Sequence, residues 1–459
     1  MKVVEELREA LGDKVLVETE VASRYHHIWK MDEALQAKAV VLPKTTNDVA
    51  EVMKICYKHS QNVVVHGGLT NLVGSTETHE DDVVIAMEKM NQILEVDTGS
   101  RTMTVQAGVI LEHVQQAAEQ QDLLFPQNFG AKGSAQIGGV IATNAGGLRV
   151  FRFGMTRALV LGLEVVLADG TVVNSLKKII KDNSAYDIKQ LFIGSEGTLG
   201  IITKAVLKLV EAPQSRTSAF VAFDDFTKVV QFMKYMDKGL AGTMSGFELI
   251  WGKTYKLMTS PPALQKPPIP HGHKYYVLVE GLGSEQVADE ARMQVLLEQA
   301  FEQHMILDAA LAQSQSDLDW FWKIREDVHI VASQCNNDQH FDISLPVPLI
   351  GGVVDDILAK LATVDGVEGA YPFGHIADGN IHFIVGKVNN TQELIEAVND
   401  VIYSPLAALG GSVSAEHGIG LHKKKYLPLC RTAEEINLMQ LLKQSMDPRN
   451  ILNRGKVLN

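Results

Sequence analysis

Residues 130–147 constrain the fold more than any other stretch. They read Gly-Ala-Lys-Gly-Ser-Ala-Gln-Ile-Gly-Gly-Val-Ile-Ala-Thr-Asn-Ala-Gly-Gly. Glycine lets backbone N–H groups come close to a ligand's phosphate oxygens. A run of small side chains this long allows an extended, flat or phosphorylated ligand to lie against main chain. A flexible linker has similar composition, but Ile137, Val140 and Ile141 interrupt the small residues and argue for a packed segment. Two shorter clusters accompany it: Gly67-Gly68-Leu69-Thr70-Asn71-Leu72-Val73-Gly74 and Gly194-Ser195-Glu196-Gly197-Thr198-Leu199-Gly200. The first follows a strand-like run at 62–66. Before that come another strand at 38–43, N-cap chemistry at Thr46-Asn47-Asp48 and helical periodicity over 49–59. This is the order of a nucleotide-binding unit, although the glycine spacing is not GxGxxG. An Asp169-Gly170 turn after the apolar run 159–168 predicts a hairpin.

The chain has 459 residues, too many for one core. A boundary is expected at Glu211-Ala212-Pro213, giving a ligand-binding domain over 1–212, a second domain over 213–435, and a C-terminal segment, 436–459, that returns to the first. A net charge of -13 argues against nucleic acid or an anionic membrane as partner. Cys56, Cys335 and Cys430 are far apart, which suits a reducing compartment. Residues 1–7 read as the start of an amphipathic helix without a signal-peptide core, and no run is long enough for a transmembrane segment. The expectation is a cytoplasmic protein; a homodimer is compatible with the sequence.

The second domain carries the residues that look chemical. Phe373-Gly374-His375-Ile376-Ala377-Asp378-Gly379-Asn380-Ile381-His382-Phe383 holds two histidines, and Ser414-Ala415-Glu416-His417-Gly418-Ile419-Gly420 adds a carboxylate and a third. Imidazole and carboxylate suit a divalent transition metal, and a further histidine suits proton transfer. The Asp378-Gly379-Asn380 turn signal predicts a loop around His375 leading into a strand at 381–385. Loop histidines satisfied by backbone groups would give the same pattern. Arg325, in the aromatic helix-like run Trp320-Phe321-Trp322-Lys323-Ile324-Arg325-Glu326, is either paired with Glu326 or solvent, or available to clamp a carboxylate.

Taken together and in this order, the glycine clusters and the histidine motifs resemble one family over nearly the whole chain. The first domain resembles the FAD domain of vanillyl-alcohol-oxidase (PCMH-type) flavoproteins. The second resembles the C-terminal cap of FAD-linked D-2-hydroxy acid dehydrogenases, the group of D-lactate dehydrogenase, the glycolate oxidase subunit and D-2-hydroxyglutarate dehydrogenase. The resemblance implies an α+β fold: an FAD-binding domain and a cap with an antiparallel sheet and helices. It implies FAD held by Gly67, Gly68, Leu69, Thr70, Asn71 and Leu72, by Ser134, Ala135, Gly138, Gly139, Asn144, Gly146 and Gly147, and by Glu196, Gly197, Gly200, Ile202 and Asn453. Leu69 stands where some relatives attach flavin through histidine, so noncovalent FAD is expected. His375, His382 and Glu416 match the family's metal ligands, usually taken as zinc; His417 matches its catalytic base. Arg325 would hold the carboxylate of a small 2-hydroxy acid. With no NAD fingerprint, electrons would pass to an electron-transfer flavoprotein or a quinone.

Three positions depart from the D-2-hydroxyglutarate enzymes. His340 replaces Lys, Ile384 replaces Asn and His329 replaces Thr, so a short or apolar substrate tail is expected. Two other readings share the fold: an alkylglycerone-phosphate-synthase-like flavin transferase, which would show a run of His where this chain has Ala415-Glu416-His417, and a non-catalytic flavin electron-transfer module.

Overall fold

The computed structural model describes residues 2–22 and 34–458. The chain divides into two compact units. The first takes the chain up to Gly147, then Gly154–Ala212, then everything from Glu416 on; the second takes Leu148–Phe153 and Pro213–Ala415. The C-terminal segment of the first unit thus starts at Glu416, where the sequence suggested residue 436. Hydrogen bonds give the reason. The Ala415 amide donates to Asp342 at 3.1 Å in the second unit, whereas the amides of Ile419 and Gly420 donate to Glu196 in the first.

In the first unit, the expected amphipathic helix is Lys2–Leu11, with Val3, Leu7 and Leu11 turned inward; Met1 lies outside the described residues. One sheet has the order Val15–Leu16, Ala39–Val41, Val83–Ala86, Val63–His66. The last three strands are parallel, and two of them are joined by the helix Thr46–Lys58. The N-cap is Thr45, one residue earlier than the triplet read from sequence, because Asp48 then falls at the position that closes a capping box. A second, antiparallel sheet runs Ile93–Asp97, Thr102–Gln106, Ile201–Lys208, Val160–Val166, Val172–Ser175. Its last two strands form the expected hairpin, with Val166 opposite Val172. Both sheets pack into one apolar core.

The second unit is built on a seven-stranded antiparallel sheet. Its order is Asp308–Leu311, Ser215–Phe223, Tyr275–Gly283, Met244–Trp251, Val367–His375, Asn380–Lys387, Gln339–Ser344. The helices Phe226–Leu240 and Gln286–Glu302 pack against it, and Phe220, Tyr255, Tyr276, Phe321 and Trp322 form an aromatic cluster. Met244–Trp251 is buried at every position. A charge inside such a strand must find partners, and Glu248 is that charge. Among the described residues no helix is long and apolar enough to cross a membrane.

Candidate active site

The three glycine-rich segments meet within the first unit around a cleft of about 340 Å³. The first segment lines it with Gly67, Gly68, Leu69, Thr70, Asn71 and Leu72. The second contributes Ala135, Gly138, Gly139 and Gly146, and the third Glu196, Gly197, Gly200 and Ile202. Asn453, Glu416 and His417 complete the lining. Ser134, Asn144 and Gly147 do not line it. Asn144 instead accepts from the Arg157 amide at 2.9 Å. A Cβ on Gly68 would stand 2.0 Å from the Ser134 carbonyl, so that glycine lets two loops press main chain to main chain.

The cleft suits a flat, phosphate-bearing group. A Cβ at Gly139 would meet no protein atom within 4 Å, and the wall there is bare backbone. Gln136, which the sequence reading passed over, presents a buried Oε1 to the cleft with no hydrogen-bond partner among the described residues. A buried orphan acceptor calls for a donor from a ligand or water.

Glu196 lines the cleft and also has a structural task of its own. Its carboxylate accepts from Ile419 N at 2.7 Å, Gly420 N at 3.0 Å and Ser75 Oγ at 3.0 Å. Burial pushes this carboxyl up, while the two amides and the hydroxyl pull the other way. Asn453 donates to the Glu196 carbonyl at 2.6 Å and accepts from Val65 N at 3.1 Å. The turn bearing Glu416 and His417 is therefore tied to two of the glycine loops.

In the second unit, His375 lies at the end of the strand Val367–His375 and not in a loop. The predicted turn is a single helical turn, Ile376–Asp378, closed by Gly379 at φ 85°, and Asn380–Lys387 returns antiparallel. The hairpin brings the two imidazoles together, with ring centroids 5.3 Å apart. Beneath them lie two carboxylates. Glu248 is paired in register with His375; its Oε1 is 2.7 Å from His375 Nδ1 and its Oε2 accepts from Arg325 Nε at 2.7 Å. Burial alone would raise the Glu248 pKa, but His375 and Arg325 outweigh it and hold the carboxyl low. Arg325 thus pairs with Glu248, not Glu326, and its guanidinium stands 5.0 Å from the Phe373 ring. Asp342, opposite His382 in register, accepts from Asn380 Nδ2 at 2.8 Å and from the Ala415 amide at 3.1 Å.

The three tail positions differ in surroundings. His329 is exposed. His340 is engaged with Asp338 at 2.5 Å. Ile384 is 1% exposed and packs in the aromatic cluster.

Residues 212–457 match the family of FAD linked oxidases, C-terminal domain, and residues 37–175 match an FAD binding domain. The chain belongs to the FAD-linked oxidases. This FAD-linked oxidase is 36% identical over 422 residues to a mitochondrial D-2-hydroxyglutarate dehydrogenase of Rattus norvegicus, covering 92% of this chain and 78% of the relative. It is 36% identical over 419 residues to a mitochondrial protein of Schizosaccharomyces pombe provisionally named a D-lactate dehydrogenase, covering 89% and 80%. Among solved structures, an alkyldihydroxyacetonephosphate synthase superposes with a TM-score of 0.77 at 17% identity, covering 99% and 84%. At that identity the likeness shows the fold alone. The α+β flavoprotein fold and an FAD-dependent oxidoreductase are thus established. The cytoplasmic expectation is overturned, because these relatives are mitochondrial proteins. Scattered cysteines suit a reducing compartment without saying which one.

Proposed function

We propose that this FAD-linked oxidase converts a D-2-hydroxy acid with a short or apolar tail to the 2-oxo acid. The observation that carries the reading is one buried carboxylate, within the second unit, that touches both a guanidinium and one imidazole of a closely spaced pair. Imidazoles suit the metal that binds a hydroxyl, and a guanidinium suits the carboxylate beside it.

His375, His382 and Glu416 would hold a divalent metal, of which zinc fits a donor set of two imidazoles and a carboxylate. With Nδ1 directed to Glu248, His375 keeps Nε2 as the donor. Glu416 follows Ala415, whose amide is fixed on Asp342, the strand partner of His382. FAD would occupy the glycine-lined cleft without a covalent bond, since Leu69 offers no attachment atom. When bound, the flavin supplies a hydride acceptor and the metal a Lewis acid that acidifies the hydroxyl. His417 would take the hydroxyl proton, and Arg325 would fix the carboxylate. Electrons then leave for a non-nicotinamide acceptor, such as an electron-transfer flavoprotein or a quinone.

Two contacts support the short tail. His340 is committed to Asp338 and Ile384 is sealed in the core, so neither cradles a second carboxylate. The test is anaerobic bleaching of flavin colour by D-lactate, D-2-hydroxyglutarate and their L-enantiomers. D-lactate is expected to bleach fastest. Faster bleaching by D-2-hydroxyglutarate would refute the tail assignment, and no bleaching by any D-acid would refute the whole reading.

A further inference from the structure

Glu248 belongs to no sequence motif, and in the chemistry above it only receives Nδ1 of His375. It lies within a strand buried throughout, and is itself 1% exposed. It nevertheless touches both kinds of group that a 2-hydroxy acid needs: His375 through one oxygen and Arg325 through the other, each at 2.7 Å. We propose that Glu248 is a positioning residue that locks the metal-ligating histidine and the carboxylate-binding arginine to each other. This rests on the function proposed above and extends the part Glu248 has there from the histidine to the arginine as well.

The argument is one of donors and acceptors. A carboxylate only accepts, so His375 must turn its Nδ1–H toward Glu248 and leave its lone pair on Nε2, the tautomer a metal requires. Arg325 likewise spends Nε on Glu248, which leaves its two Nη groups as the fork that grips a carboxylate. Arg325 is 4% exposed and lies over Phe373, so it has little freedom to find another arrangement. One carboxylate therefore sets the spacing between the hydroxyl end and the carboxylate end of the substrate. Glutamine has the same shape but cannot do this. Its amide nitrogen must face either His375 or Arg325. Against His375 it drives the proton to Nε2; against Arg325 it sets one donor against another.

The test compares the wild-type holoenzyme with Glu248→Gln, using zinc alone in a chelator buffer and then D-lactate at saturating zinc. The expected result is a loss of about 10–100-fold in zinc affinity, together with a KM raised roughly tenfold or more at saturating zinc, with flavin content unchanged. Because the glutamine variant leaves a buried arginine unpaired and could fail to fold, Glu248→Asp is measured beside it. Aspartate keeps the charge but is one methylene short of bridging both partners, so both readouts are expected to shift together, by less. Unchanged zinc affinity with unchanged KM in either folded variant overturns the proposal, as does a zinc defect alone with normal KM, because the two partners would then be independent. Failure of the functional reading is told apart by nitrogen-labelled histidine spectra of metal-free protein, assigned with His375→Gln. An Nδ1-protonated His375 in wild type that changes tautomer in Glu248→Gln supports the anchor without metal or substrate, and an Nε2-protonated His375 in wild type overturns it.

Discussion

Asp378 sits in the turn between the two histidines; the residue is exposed as a whole, yet desolvation of its carboxyl pushes it up to about 6, with His375 opposing and the Glu248 charge adding to the rise. The direction fixes a pH dependence. Below the ordinary aspartate value of 3.8 the group is protonated in folded and unfolded chains alike, and it contributes no pH dependence. Between 3.8 and about 6 the unfolded chain gives up the proton and the folded one keeps it, so stability falls as pH rises. Above that window the cost is complete, and because the residue is exposed solvent screening keeps it well below the value of a fully buried carboxylate. In chelator-treated protein, Asp378→Asn is therefore expected to melt higher than wild type at neutral pH and to lose this part of the pH dependence. Equal melting temperatures for the two proteins at neutral pH would refute the assignment. Sequence made the Asp-Gly turn plain, because turn chemistry is local. It said nothing of Glu248: its partners lie 77 and 127 residues away, and only strand register brings them together.

At the level of elements, the glycine segments were legible as ligand-facing loops because long runs of small side chains leave few other uses for them. What was not legible is how the loops are tied to the turn at Glu416-His417-Gly418. Glu196, expected as a flavin contact, also uses its carboxylate to hold two amides of that turn and the hydroxyl of Ser75. The turn is secured further by Leu421 and His422, whose amides donate to the Val73 carbonyl at 2.8 and 3.1 Å. Glu196→Gln keeps the volume but turns one acceptor into a donor, so one amide of the turn loses its partner, a change of roughly 1.5–3 kcal/mol for a bond to a charged group. The expected outcome is a kcat for D-lactate lowered at least tenfold, because His417 is held less firmly, with bound FAD retained and KM moved much less. A kcat equal to wild type would show that the turn needs no such anchor, and loss of FAD would return Glu196 to the cofactor itself.

For the whole molecule, the residues around the glycine-lined cleft all belong to the first unit, and the paired histidines to the second. Glu416 apart, the two proposed cofactors draw on different residues and should be separable. A ligand stabilises only the state that binds it, by RT ln(1 + [L]/Kd), about 4 kcal/mol at a thousandfold excess over Kd. Stripping FAD should therefore lower the unfolding temperature of the unit that carries the cleft. A metal chelator should abolish oxidation of D-lactate yet leave flavin on the protein, seen as visible absorbance that stays with the protein on gel filtration. His375→Ala and Glu416→Ala should reproduce that state, with elemental zinc lost, FAD kept and turnover down by orders of magnitude. Acid precipitation should then leave the yellow colour in solution, since Leu69 gives the flavin nothing to bond to. A yellow pellet would refute the noncovalent site. Flavin lost together with zinc would refute the separation, because it would mean that the cleft holds FAD only when the histidine hairpin is loaded.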